Sequence, residues 1–186
     1  MNKIVKTVIE WIVIIGIAFG LSILIRNFVV DTRIVPTGSM LPTIQEQDRL
    51  IVDRLFYQFQ TLGRGDVIVF KAPEKSGSSE DLVKRIIGLP GEKVQIKNSK
   101  VYINEAELKE PYVHNIADYE YGPVTVPANS YLVLGDNRSE SYDSHKWGFL
   151  PAENILGKVL IRYWPLNTIG PLEGPPADYL SAKEQS

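Results

Sequence analysis

One stretch limits what this chain can become before any other is read. Residues 8–25, VIEWIVIIGIAFGLSILI, are apolar except for Glu10 and Ser22. Coiled as an α-helix, that run spans about 27 Å, against roughly 30 Å for the hydrocarbon core of a bilayer. It lacks the polar stripe that a helix packed on a soluble core presents. A small-x-small signal site, Ala18-Phe19-Gly20, lies inside the run rather than after it, with Leu21 to Ile25 still to come. The run is therefore expected to remain as an uncleaved membrane anchor. Lys3 and Lys6 favour a cytoplasmic N-terminus, a bias that Arg26 and Arg33 partly offset.

Beyond the anchor the apolar pattern changes to period two. Arg49 to Asp53 and Asp66 to Phe70 are β-branched runs bounded by turn residues, and they read as strands; Leu82 to Gly91 follows, with an apolar strand around Lys84. Lys93 to Lys97 and Lys100 to Asn104 read as a hairpin joined at Asn98-Ser99. Val124 to Val126, Tyr131 to Leu134 and Ile155 to Trp164 read as further strands. Residues 105–122 read as irregular and polar, 75–81 as a mobile loop, and the Gly/Pro-rich segment after Pro165 as loose chain. The aromatic cluster Leu55 to Phe59 suits a core or a membrane interface, with core the expected outcome. The fold class is thus mostly β, behind one N-terminal transmembrane helix. The expected domains are an anchor at 1–30, a β-rich domain at 31–170 and a flexible tail at 171–186.

Composition removes several classes of function. The formal net charge of −2 gives no basic surface for nucleic acid. The absence of cysteine excludes a disulfide framework, a thiolate zinc site and a Cys nucleophile. The two histidines, His114 and His145, have no metal-ligand spacing, so no metal or cofactor is expected.

Chemistry is suggested at three places. Pro36-Thr37-Gly38-Ser39-Met40-Leu41-Pro42-Thr43 puts a hydroxyl on a stretch bent by proline and glycine. It reads either as an ordinary turn or as a nucleophile whose own N–H faces a developing oxyanion. Ser39 follows the apolar run by fourteen residues, which reach at most about 50 Å fully extended, so it works near the membrane. Lys84 interrupts an apolar strand, where it is either a solvated or snorkelling side chain or a desolvated general base. The third place is Gly135 to Gly148, dense in polar side chains directly after a strand. Asp143 and His145 with Ser39 invite a Ser-His-Asp reading. Residues two apart on an extended segment, however, are poorly placed to bond carboxylate to imidazole.

Taken together, Ser39-Met40-x-Pro42-Thr43, Asp48 to Val52, Lys84 to Gly91, and Gly135 to Arg138 with Ser141, Asp143, Ser144 and Gly148 closely resemble type I signal peptidases. The resemblance runs from residue 1 to about 165. It implies an antiparallel β, barrel-like catalytic domain, shared with the self-cleaving repressors of the DNA-damage response. It also implies an endopeptidase that removes signal peptides after sites with small residues at −1 and −3. By position, Ser39 is the nucleophile, Lys84 the general base and Ser141 the group that orients the lysine amine. Thr37 joins the Ser39 N–H at the oxyanion position, while Asp143 and Arg85 support the site. Where the family usually has Asp-Ser-Arg, this chain has Asp143-Ser144-His145, so His145 takes the place of an arginine partner. Asp-Ser-His-x-Trp-Gly and Arg162-Tyr163-Trp164-Pro165 look more like cyanobacterial and thylakoid members.

The implied partners are signal-peptide-bearing pre-proteins and the lipid bilayer, for a monomeric chain with its catalytic domain on the extracytoplasmic side. The membrane is the plasma membrane, or alternatively the thylakoid. Two other readings stay in view. A self-processing Ser–Lys protease of the repressor type would cut an Ala-Gly bond, and the chain has no Ala-Gly dipeptide. A catalytically silent, membrane-tethered β module would not need Ser39 and Lys84 together.

Overall fold

The apolar run forms α1, Lys3–Leu24, in a computed structural model that describes residues 3–24 and 29–176. From Lys3 to Ile23 it is long and apolar enough to cross a membrane, with a mean hydropathy of 2.1 and no part buried inside the protein. Ile25, Arg26 and residues 177–186 of the expected tail lie outside the described residues.

Among the described residues the body has eleven strands, with β1 at Val30–Ile34, β2 at Arg49–Asp53, β3 at Val67–Lys71 and β4 at Asp81–Gly88. β5 is Lys93–Lys97, β6 Lys100–Ile103, β7 Ala106–Glu107 and β8 Tyr121–Thr125. β9 is Ser130–Leu134, β10 Leu150–Pro151 and β11 Ile155–Trp164. A seven-stranded sheet runs in the order β1-β2-β11-β3-β4-β9-β10, and a four-stranded sheet runs β7-β6-β5-β8. Every pairing between these strands is antiparallel. The mostly β fold read from the sequence is the fold observed.

The hairpin forms as its pattern dictates. Asn98 and Ser99 take φ of 50° and 64°, the left-handed pair that a two-residue turn requires, and Lys97 pairs with Lys100. The strands from Arg49, Asp66 and Ile155 are found within a residue of their expected bounds. β1 was not expected. Its alternation of Val30, Asp31, Thr32, Arg33 and Ile34 is short and polar, and only pairing with β2 makes it a strand.

β4 departs from the half-buried strand that simple alternation suggests. It lies between β3 and β9, and residues 84–88 are buried irrespective of face. The aromatic cluster is also not core: Phe56 is 56% and Phe59 80% exposed. Asp53 Oδ1 accepts from the N–H groups of Leu55 and Phe56 and turns this segment outward. Only Tyr57 reaches back, donating its hydroxyl to Ile155 O. Within residues 105–122, read as irregular, β7 adds an edge strand and Leu108, Tyr112 and Ala117 are buried. Nor is the chain just past Pro165 loose. Gly170 exchanges two backbone hydrogen bonds with Arg162, and Leu172 packs against the core around Val35, Met40 and Val159.

Candidate active site

Ser39 stands on a single 3-10 turn, Gly38–Met40, between β1 and β2. The turn is pinned from below by Met40, which is fully buried with Val35, Ile44 and Leu50. Backbone bonds from Val35 N to Asp48 O (3.0 Å) and from Gln47 N to Val35 O (2.8 Å) close the loop at its base. Burial of the neighbouring side chains and these backbone bonds thus set the position of the turn that carries the Ser39 hydroxyl. At the start of such a turn the N–H groups have no partner within it, which leaves them available to a ligand.

β4 brings Lys84 to this hydroxyl. Lys84 Nζ lies 2.6 Å from Ser39 Oγ, and the lysine is only 3% exposed. The solvated and snorkelling readings of Lys84 are thereby excluded. Burial holds its amine well below the ordinary lysine value, at about 8, while the carboxylates of Asp143 and Asp136 pull upward against it. The Thr37 hydroxyl is 3.5 Å from Ser39 Oγ on the open side. A small cleft beside them is walled by Val35, Thr37 and Met40 from one side and Leu82, Val83 and Lys84 from the other.

Arg85 points the opposite way from Lys84. Its guanidinium binds both oxygens of Asp136 at 2.9 and 2.6 Å, donates to Gly65 O and lies 3.9 Å over the Tyr112 ring. Arg85 is thus paired with Asp136, a partner not singled out from sequence although it sits inside the polar stretch after β9. Next to it, Arg138 is bonded through two nitrogens to Glu110, which also accepts from the Tyr112 hydroxyl. Nothing in the sequence around Glu110 and Tyr112 marks them as part of this network.

Asp143 is fully buried and caps α2, Ser144–Trp147. One of its oxygens accepts from Gly135 N at 2.9 Å, and the other lies 2.8 Å from His145 Nδ1. The helical turn that begins at Ser144 brings the His145 imidazole to the Asp143 carboxylate, in the place that an arginine partner would take. This is still no Ser-His-Asp triad. The imidazole stacks on Tyr119 at 3.9 Å, whereas Ser39 Oγ meets Lys84 and Thr37. Ser141 Oγ is buried without a hydrogen-bond partner and makes no bond to Lys84 here. It lies against Gly135, where any Cβ would collide with Ser141 Oγ and the Ser39 carbonyl oxygen. His114 is exposed.

A buried amine on a serine hydroxyl, carried by an antiparallel β body that also bears an apolar membrane helix, defines a membrane-anchored serine peptidase of the Ser–Lys type. The chain belongs to the family described as "Signal peptidase, peptidase S26", whose pattern matches residues 8–164. It is 47% identical over 175 residues to a signal peptidase I of Leptolyngbya laminosa, covering 91% of this chain and 86% of that one. Against signal peptidase IB of Staphylococcus aureus (strain COL) the identity is 36%, over 87% of this chain and 92% of the relative. Against thylakoidal processing peptidase 1 of Arabidopsis thaliana chloroplasts it is 38%, over 80% of this chain and 46% of the relative. The crystal structure of a signal peptidase I from Enterococcus faecalis superposes with a TM-score of 0.47 at 31% identity, covering 53% of this chain and 97% of that one.

Proposed function

We propose that this protein removes N-terminal signal peptides from exported pre-proteins after small-x-small sites, with Ser39 as nucleophile and Lys84 as general base. The observation that carries the reading is the 2.6 Å contact between Ser39 Oγ and a buried Lys84 amine. In its neutral form the amine takes the hydroxyl proton as Oγ attacks the scissile carbonyl carbon. The oxyanion that forms is met by the Ser39 N–H and the Thr37 hydroxyl. Lys84 then gives its proton to the departing amine, leaving an acyl-enzyme on Ser39. A water molecule, deprotonated by the same lysine, releases the signal peptide.

In this reading Ser141 orients the Lys84 amine once a substrate has changed the hydrogen bonds of the site. Arg85 and Asp143 keep the two halves of the site in register. The peptidase domain at 31–170 works on the extracytoplasmic face as a monomer, beside the bilayer that α1 crosses. The membrane is the plasma membrane; likeness to both bacterial and chloroplast enzymes makes the thylakoid the alternative.

The test is cleavage of a pre-protein bearing an Ala-x-Ala site by detergent-solubilised protein. Cleavage after the second Ala by wild type, lost by at least about a thousandfold in both Ser39→Ala and Lys84→Ala, is the expected result. Near-normal activity in Lys84→Ala would overturn the assignment of the base.

A further inference from the structure

We infer that Asn137 is a positioning residue for the nucleophile, held in its working orientation by Asn115. The inference rests on Ser39 being the nucleophile, as proposed above.

Asn137 is 5% exposed and reaches the Ser39 turn with two donors. Its side-chain Nδ2 donates to Gly38 O at 3.0 Å, and its backbone N–H donates to Ser39 O at 3.1 Å. These two carbonyls belong to the two peptide planes that flank the Ser39 Cα. The planes are rigid, so holding each carbonyl oxygen fixes the orientation of the whole unit. The Gly38 carbonyl shares its plane with the N–H of Ser39, the proposed oxyanion donor. In a trans peptide the two groups point in opposite directions. A donor on Gly38 O therefore aims the Ser39 N–H away from Asn137, and polarises it as well. The second bond fixes the plane that leads into Met40, and with it the direction of the Ser39 Cα–Cβ bond.

The Asn137 amide has only one useful orientation. A carbonyl can only accept, so the NH₂ group must face Gly38 O and Oδ1 must face the other way. Asn115 occupies that side. Its Nδ2 donates to Asn137 Oδ1 at 3.0 Å, and its carbonyl accepts from Arg138 N at 3.0 Å. The segment between β7 and β8 thereby acts as a brace, reaching the nucleophile through one buried amide.

The experiment compares kcat and KM for the Ala-x-Ala pre-protein in wild type, Ser39→Ala, Asn137→Asp, Asn115→Ala and the double variant Asn115→Ala/Asn137→Asp. Folding of each is followed by circular dichroism melting. Asn137→Asp keeps the shape and the backbone bond but sets an oxygen against Gly38 O. It is expected to lower kcat by about ten- to a hundredfold with KM within about threefold, the signature of a misaimed nucleophile. Asn115→Ala is expected to lower kcat by about three- to tenfold, and to add little once Asn137 is already Asp. Wild-type kcat in folded Asn137→Asp, or a loss confined to KM, overturns the inference. Should Asn137→Asp fail to fold, unchanged kcat in Asn115→Ala overturns it instead. Loss of all cleavage in Ser39→Ala in the same series keeps the nucleophile assignment separate, so either idea can fail alone.

Discussion

An amine with a pKa of about 8 is neutral in about one molecule in ten at pH 7 and in about nine in ten at pH 9. At the ordinary lysine value the neutral share at pH 7 would be below about one in a thousand. Burial does this because removing water penalises the charged form, and the carboxylates of Asp143 and Asp136 only partly restore it. The base is the deprotonated amine, so kcat/KM should rise with pH, with a midpoint near 8, and level off above it. A pH–rate profile of the wild type, collected between pH 6 and 10 or so, checks this. A profile flat across that range would mean that Lys84 is not the titrating base. The strand pattern around Lys84 left it open between a snorkelling side chain and a base, and only the resemblance of the wider motifs named it the base. The choice depends on its depth, and depth is set by β3, β9 and the Ser39 turn rather than by its neighbours in the chain.

β4 carries two cations on opposite faces and buries both, which its alternation did not suggest. A strand with neighbours on each side, and packed from above and below, has no face left for water. Its charged groups must then be matched inside the protein, as Arg85 is, or pushed toward the neutral form, as Lys84 is. Arg85 is matched by Asp136 on the loop after β9, which ties that loop to the central sheet. Removing one partner leaves the other charged and buried, so Asp136→Ala should cost about 3–5 kcal/mol of stability. Arg85→Met combined with Asp136→Leu should recover much of that loss, because two apolar side chains leave no unpaired charge. Denaturant unfolding followed by tryptophan fluorescence measures both. Equal losses in the single and the double variant would show that the ion pair is not what the stability rests on.

The molecule divides its tasks between a helix whose described side chains are all exposed and a β body whose core lies between Val35 and Val159. None of the described side chains of α1 belongs to that core. A variant lacking residues 1–28 should therefore keep the β-type circular dichroism and the melting transition of the body. It should also keep cleavage of a short soluble peptide, while losing most of its activity on pre-protein presented in lipid vesicles. Collapse of the β signal in the truncated variant would show that the helix is needed for folding and not only for location.

The membrane helix, the hairpin at Asn98-Ser99 and the mostly β class were determined by the sequence alone, because each is a pattern among adjacent residues: an apolar run, a turn pair, a period of two. Motifs resembling a known family also marked Ser39 and Lys84. The partners were decided only by the tertiary structure. Lys84 meets Ser39 across 45 residues, Arg85 meets Asp136 across 51, and Asn137 meets Gly38 across 99. Such contacts follow from the order of strands in a sheet and the path of the loops between them. A local pattern fixes which face a side chain can occupy, but only the packed sheet fixes what stands opposite it and whether water remains between.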